Sequence, residues 1–124
     1  MANLSCEEIK AFVPAKDYGL SCEFYQHIGF ELVWQSPEMA YFHQGDCRFL
    51  LQNFYNKEHA DNFMMHLLVK DVVAWHQYLI AQGITEKYHV QMSEPCEQPW
   101  NMTDFVIYDP SGVLWRIGQN HDAN

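Results

Sequence analysis

The side chains of this 124-residue sequence best suited to metal binding or nucleophilic chemistry are seven histidines and four cysteines. Their spacing spells out no known chemistry. Cys6, Cys22, Cys47 and Cys96 form no CxxC pair, so no zinc cradle is written in the sequence. His27, His43, His59, His66, His76, His89 and His121 show no HxH or HExxH pattern. No GxSxG elbow presents a serine nucleophile. Tyrosines and acids could carry protons, but no fixed spacing marks a pair for that work. Scattered cysteines in a sequence without a secretory leader read as reduced thiols.

Composition narrows the partners. Sixteen acidic against seven basic residues give a net charge of −9. That disfavours nucleic acid, which needs clustered Lys and Arg to neutralise phosphates, and an anionic membrane surface. The charge reads first as a device for solubility, and alternatively as a field that attracts cationic ligands. With 48% apolar and 15% aromatic residues the chain can pack a core. The longest apolar runs, Phe63–Val69 and Phe105–Tyr108, are far shorter than the ~20 residues that span a bilayer. The N-terminus, Met-Ala-Asn-Leu-Ser-Cys-Glu-Glu, has neither a basic n-region nor an apolar h-region, so a cytoplasmic location is expected.

The elements that would position a site come from an internal repeat. Shifted by 54 positions, Ala15-Lys16-Asp17 falls on Val69-Lys70-Asp71, and Gly29-Phe30 on Gly83-Ile84. A helical pattern lies between the markers in both copies: Leu20, Phe24 and Ile28 in the first, Val72, Trp75, His76 and Leu79 in the second. Each Asp suits an N-cap and each Gly the residue that stops the helix. Apolar runs Ile9–Val13 and Phe63–Val69 precede the helices as strands. In the first half, strands follow at Phe30–Gln35, Met39–His43 and Cys47–Phe54, with turns at Ser36-Pro37-Glu38 and Gln44-Gly45-Asp46. In the second half they are expected at Ile84–Met92, Asp104–Tyr108 and Val113–Gly118. An insertion, Ser93–Met102, precedes the last two, and Asp109-Pro110-Ser111-Gly112 turns between them. The reading is an α+β fold in one domain, 1–124, of two βαβββ modules, about 8–55 and about 62–119.

This order, with Gln98-Pro99-Trp100-Asn101-Met102-Thr103-Asp104-Phe105 followed by the DPxG turn and Val113-Leu114-Trp115-Arg116-Ile117, resembles the vicinal oxygen chelate superfamily. That group includes glyoxalase I, extradiol dioxygenases and bleomycin resistance proteins. The Pro-Trp-Gly loop, strand and DPxG turn resemble the bleomycin-resistance-like branch, with Asn101 here in place of the usual Gly. The resemblance spans roughly residues 8 to 119. It implies that each module forms a half-open curved sheet, that the sheets surround a cavity, and that binding members hold a ligand there, usually as homodimers.

The resemblance also implies where a metal would sit in catalytic relatives. Those positions correspond to Ala11, Met65, Arg116 and either Leu51 or Gln52. Ala and Met are poor ligands for a divalent ion, and a guanidinium repels one. His66 is one residue away, and one residue reverses the face of a strand. No metal and no cofactor are therefore expected; His66 and Gln52 would be the ligands of a rebuilt site. Ala11, Met65, Gln52 and Arg116 are instead expected to line a ligand pocket, Arg116 holding a carboxylate, stacking on a flat ring, or pairing with an acid of the domain. Trp100 on its loop, Tyr41 with His43, and Phe49 with Leu51 could add aromatic surface. The leading expectation is a metal-independent, homodimeric binding protein for a small organic ligand, cationic or aromatic, that acts by sequestration. A metal-dependent glyoxalase-like lyase, isomerase or dioxygenase is the enzymatic alternative, and an interaction module with a filled cavity the third.

Overall fold

A computed structural model describes residues 2–121; Met1 and residues 122–124 of the expected domain lie outside the described residues. Two four-stranded sheets form, each from one half of the sequence. The first comprises β1 (Phe12–Pro14), β2 (Glu31–Gln35), β3 (Met39–Gln44) and β4 (Cys47–Gln52), in the order β1-β4-β3-β2. The second comprises β5 (Met64–Leu68), β6 (Cys96–Gln98), β7 (Met102–Tyr108) and β8 (Leu114–Asn120), in the order β5-β8-β7-β6. In each, the first and last strands pair in parallel and the rest antiparallel. Parallel pairing needs a long crossover, and the helices α1 (Tyr18–His27) and α3 (Val72–Ala81) lie in it. A short helix, α2 (Lys57–Asp61), joins the modules.

Local chemistry sets the helix ends as expected. Asp17 Oδ1 accepts from the Leu20 N–H at 3.1 Å, and Asp71 Oδ1 from the Ala74 N–H at 3.0 Å. Gly29 and Gly83 follow the helices with φ of 120° and 65°, which only glycine adopts without strain. The buried stripe of α3 is Val72, His76 and Leu79, with Trp75 half-buried. In α1 the stripe is Ser21, Phe24, Tyr25 and Ile28, while Leu20, expected on it, is exposed.

One expected strand is corrected. Residues Ile84–Tyr88 form a helix, α4, and the corresponding strand is β6, inside the supposed insertion. Ile84 and Tyr88 are four apart and both buried, so the helical period wins over alternation. His89, at φ 54°, ends the turn. The first strand also starts later than expected, at Phe12, leaving Ile9 exposed.

The core runs between the helices and one face of each sheet. Tyr25 of α1 packs on Phe42 and Phe49 of the first sheet and on Trp115 of the second. Its hydroxyl donates to Asp109 Oδ2 and accepts from Trp115 Nε1 at 2.8 Å. Asp109 Oδ1 accepts from the N–H groups of Ser111 (2.8 Å) and Val113 (2.9 Å), which shapes the DPxG turn. Ser111 Oγ accepts from the Lys16 N–H of the first module at 2.8 Å. The turn is therefore a tether between modules. Burial pushes the Asp109 carboxyl above its ordinary range, against the hydrogen bonds it accepts. Burial, with the nearby Asp109 charge, raises the Tyr25 phenol.

Candidate ligand-binding site

Strand register decides which side chains can meet a ligand, because neighbours across a ladder share a face. In the second sheet His66 lies opposite Arg116, and Met65 opposite Trp115. Trp115 and Ile117 are buried against the helices, so His66 and Arg116 are on the other, open face. In the first sheet Phe12 lies opposite Leu50, and Val13 opposite Leu51. Val13 and Leu51 are fully buried, so Phe12, Leu50 and Gln52 are on the open side with Tyr41, His43 and Arg48.

This corrects the expectation that Ala11 and Met65 share Arg116's face. Ala11 precedes β1, its carbonyl accepting from the Leu50 N–H at 3.0 Å, and it alternates with Phe12 onto the core side. Met65 is half-buried and packs against the core. Phe49 is likewise a core residue, stacked on Phe42 with ring centroids 5.4 Å apart. Met65 and Phe49 still reach a cleft of about 340 Å³ at the junction of the modules, with Phe30 and Trp115, under Arg48 and His66. A larger hollow of about 540 Å³ lies by Gly19, Cys22 and Lys87, away from both open faces.

Two polar clusters occupy the open faces. On the second sheet Arg116 Nη1 donates to Asp104 Oδ2 at 2.9 Å, and Gln98 Nε2 donates to Asp104 Oδ1 at 2.9 Å. Asp104 is 2% exposed and Arg116 28% by side chain. Of the three roles expected for Arg116, pairing with an acid of the domain is the contact present. On the first sheet Tyr41 Oη donates to the Glu8 carboxylate and accepts from Arg48 Nη1 at 3.0 Å. Arg48 Nε lies 3.1 Å from Glu8 Oε2, and Lys10 also pairs with Glu8. A hydrogen bond from Lys10 holds the Glu8 carboxyl below its ordinary value, helped by Tyr41 and the Lys10 and Arg48 charges, against desolvation.

Trp100 is 59% exposed at the tip of the β6–β7 hairpin, beside Asn101 at φ 64°. The usual Gly at Asn101 is explained by that left-handed backbone, which Asn tolerates better than most residues. Trp100 is six residues along the strand from Val106, the rung opposite Arg116, so it lies on the order of 15–20 Å from that rung. Glu8, Arg48, Asp104 and Gln98 were missed by sequence reasoning. Arg48 and Asp104 could have been found by extending the alternation from Tyr41–His43 and Arg116 across the neighbouring strands.

The donor set does not fit a divalent metal. On the open faces, the paired first and last strands offer Phe12 with Leu50 and Pro14 with Gln52 in the first sheet, and Met64 with Leu114 and His66 with Arg116 in the second; Gln52 adds only a neutral amide. One imidazole facing a guanidinium is not a coordination sphere. Among the described residues, no three of His, Cys, Asp and Glu come together in a metal-ready group.

The paired modules and this site geometry belong to a class shared by binding proteins and enzymes. The model of the Glyoxalase/Bleomycin resistance protein/Dioxygenase superfamily matches residues 9–117, and the chain belongs to that superfamily. It is similar to a bleomycin resistance protein from Klebsiella pneumoniae, 25% identical over 114 residues that cover 87% of this chain and 88% of the relative. Its fold is similar to the crystal structure of a bleomycin-binding protein complexed with bleomycin, with a TM-score of 0.81 at 22% identity, covering 94% of this chain and all of the other. A lactoylglutathione lyase from Agrobacterium tumefaciens shares the fold too, with a TM-score of 0.68 at 16% identity over 93% of this chain and 94% of the other. The fold therefore does not separate binding from catalysis, and the site must.

Proposed function

We propose that this chain binds a small organic ligand on the open faces of its sheets, without a metal of its own, and acts by sequestration. The observation that carries the reading is the donor set: where a metal would need several deprotonated ligands, the paired first and last strands offer on their open faces one imidazole, one neutral amide, apolar side chains and a guanidinium. The relatives named for bleomycin resistance and bleomycin binding support a flat, cationic, glycopeptide-like drug as the ligand class, and the net charge of −9 suits a cation. Arg116, Trp100, Tyr41 and Gln52 are the proposed contacts, with Met65 and Phe49 at the base of the junction cleft. Exposed Phe12, Met64, Leu68 and Tyr108 on the open faces support a homodimer that covers them.

Isothermal titration with metal-free bleomycin, before and after dialysis against a chelator, tests the reading. Saturable binding that is unchanged by the chelator is expected. A metal-dependent enzyme would instead hold one stoichiometric divalent ion per chain and lose it with His66→Ala. Absence of binding, or binding abolished by the chelator, overturns the proposal.

A further inference from the structure

The N-terminal segment, residues 2–11, has no regular structure, and residues 2–9 are exposed. Leu4 and Ile9 are 85% and 94% exposed, so apolar burial does not hold the segment down. The segment meets the first sheet through polar groups: the Ala11 carbonyl accepts from the Leu50 N–H at 3.0 Å, Lys10 Nζ lies 5.4 Å from the Tyr41 ring centroid, and Glu8 makes the side-chain hydrogen bonds. Its carboxylate receives the Tyr41 hydroxyl at 3.0 Å on both oxygens, and Arg48 Nε lies 3.1 Å away. Tyr41 and Arg48 stand on adjacent strands, β3 and β4, fixed by the ladder that pairs Tyr41 with Leu50 and His43 with Arg48. The Arg48 to Tyr41 hydrogen bond of 3.0 Å links them without help from the segment. Two donors preorganised by the sheet thus converge on a carboxylate carried by an irregular segment of the same chain, where Lys10 of that segment also pairs with it.

Arg48 also stands at the rim of the junction cleft of about 340 Å³, which Phe30, Phe49, Met65 and Trp115 floor and Ile9 borders. A flat apolar body in that cleft could set an attached carboxylate against Arg48. Among the described residues the other groups near this rim are Asp46, Cys47 and His66. His43, on the same face, is engaged with Glu31 at 2.7 Å.

We infer that Tyr41 and Arg48 form a binding niche for an aromatic carboxylate whose ring enters the junction cleft, and that Glu8 fills this niche as an internal competitor that the ligand displaces. The inference goes beyond the proposed drug binding by assigning a second, anionic ligand class to the first sheet. It also gives the acidic chain a reason to accept an anion: the incoming carboxylate replaces one already there, so the local charge count is unchanged.

The test is isothermal titration of 2-naphthoate, and of its neutral amide as control, into the full chain and its Glu8→Gln, Arg48→Gln and double variants. Glu8→Gln should tighten naphthoate by about tenfold and leave the amide unchanged, because only the charged competitor is lost. Adding Arg48→Gln should return naphthoate to wild-type affinity or weaker. If Arg48→Gln does not fold, Arg48→Lys, which lacks the fork, should remove most of the gain. Equal naphthoate affinity in the wild type and Glu8→Gln, equal tightening of the amide, or no naphthoate binding by Glu8→Gln overturns the niche. Bleomycin titrations on the same variants are scored separately: loss of drug binding with the naphthoate pattern intact sinks the proposed function alone, and the reverse sinks only the niche.

Discussion

Arg116→Ala should cost more stability than its exposure suggests, because of what it leaves behind. Asp104 is 2% exposed, and its two oxygens rely on Arg116 and Gln98. Without the guanidinium, a buried carboxylate keeps one neutral donor. Breaking a fully buried pair costs about 3–5 kcal/mol. Arg116 retains 28% exposure, so solvent screening lowers the expected loss to about 2–3 kcal/mol. Asp104→Ala leaves a cation that can turn toward water and should cost about 1–2 kcal/mol. The double variant removes both charges and should be no worse than Arg116→Ala alone, giving a coupling energy of about 1.5 kcal/mol. Urea unfolding monitored by tryptophan fluorescence measures all four proteins, with unchanged m-values as the check on two-state behaviour. A coupling energy under about 0.5 kcal/mol would show that the pair contributes nothing as a unit. The pairing account of Arg116 would then be wrong. The result matters for function, since lost ligand binding in Arg116→Ala is interpretable only beside a binding measurement in the double variant.

Tyr25→Phe should destabilise by about 2–5 kcal/mol, because Asp109 Oδ2 and Trp115 Nε1 both lose a buried partner; a loss under about 1 kcal/mol by urea unfolding contradicts this. For Asp109, whose ordinary value is 3.8, the folded chain binds a proton that the unfolded chain has released as pH rises above that value. Its contribution to stability is therefore best at low pH, falls through the window up to the raised folded value, and is flat above it. Subtracting the Asp109→Asn stability curve from that of the wild type should show this fall, and a pH-independent difference refutes it. Asn101→Gly should stabilise by up to about 1 kcal/mol, since the φ of 64° suits glycine better, and a lower melting temperature would refute the strain argument. Trp100→Ala should leave the melting temperature within a degree or two but weaken ligand binding, because its side chain lies mostly in solvent.

The parts of the fold legible in the sequence are those with local chemistry. Asp17 and Asp71 cap helices and Gly29 and Gly83 stop them, so the shift between halves was readable. The stretch Ile84–Met92 misled because Ile84 and Tyr88 satisfy a helical turn as well as the ends of a strand, and a short apolar run does not separate the two. The site failed by one residue for a related reason. Met64, Met65, Leu67 and Leu68 are apolar on both faces of β5, so no alternation tells which face is buried; only the pairing of Met65 with Trp115 does. Glu8 and Arg48 are forty residues apart, and no periodicity links an irregular segment to a strand.

The same register explains why the open faces suit association. Trp115 and Ile117 satisfy the core, while Phe12, Met64, Leu68 and Tyr108 stay exposed by 39–56% on the side bearing Arg116 and Tyr41. A monomer gains nothing from that arrangement, whereas a ligand or a second copy that covers these side chains gains apolar burial. If a ligand lies between two copies, it must stabilise the dimer by the same factor by which dimerisation tightens the ligand. Titrations of metal-free bleomycin at two protein concentrations that differ by tenfold should then give a tighter apparent affinity at the higher one, with light scattering showing the dimer strengthened by the drug. A concentration-independent affinity, with a mass that the drug leaves unchanged, would place the ligand within one chain and leave the exposed apolar residues to a different partner.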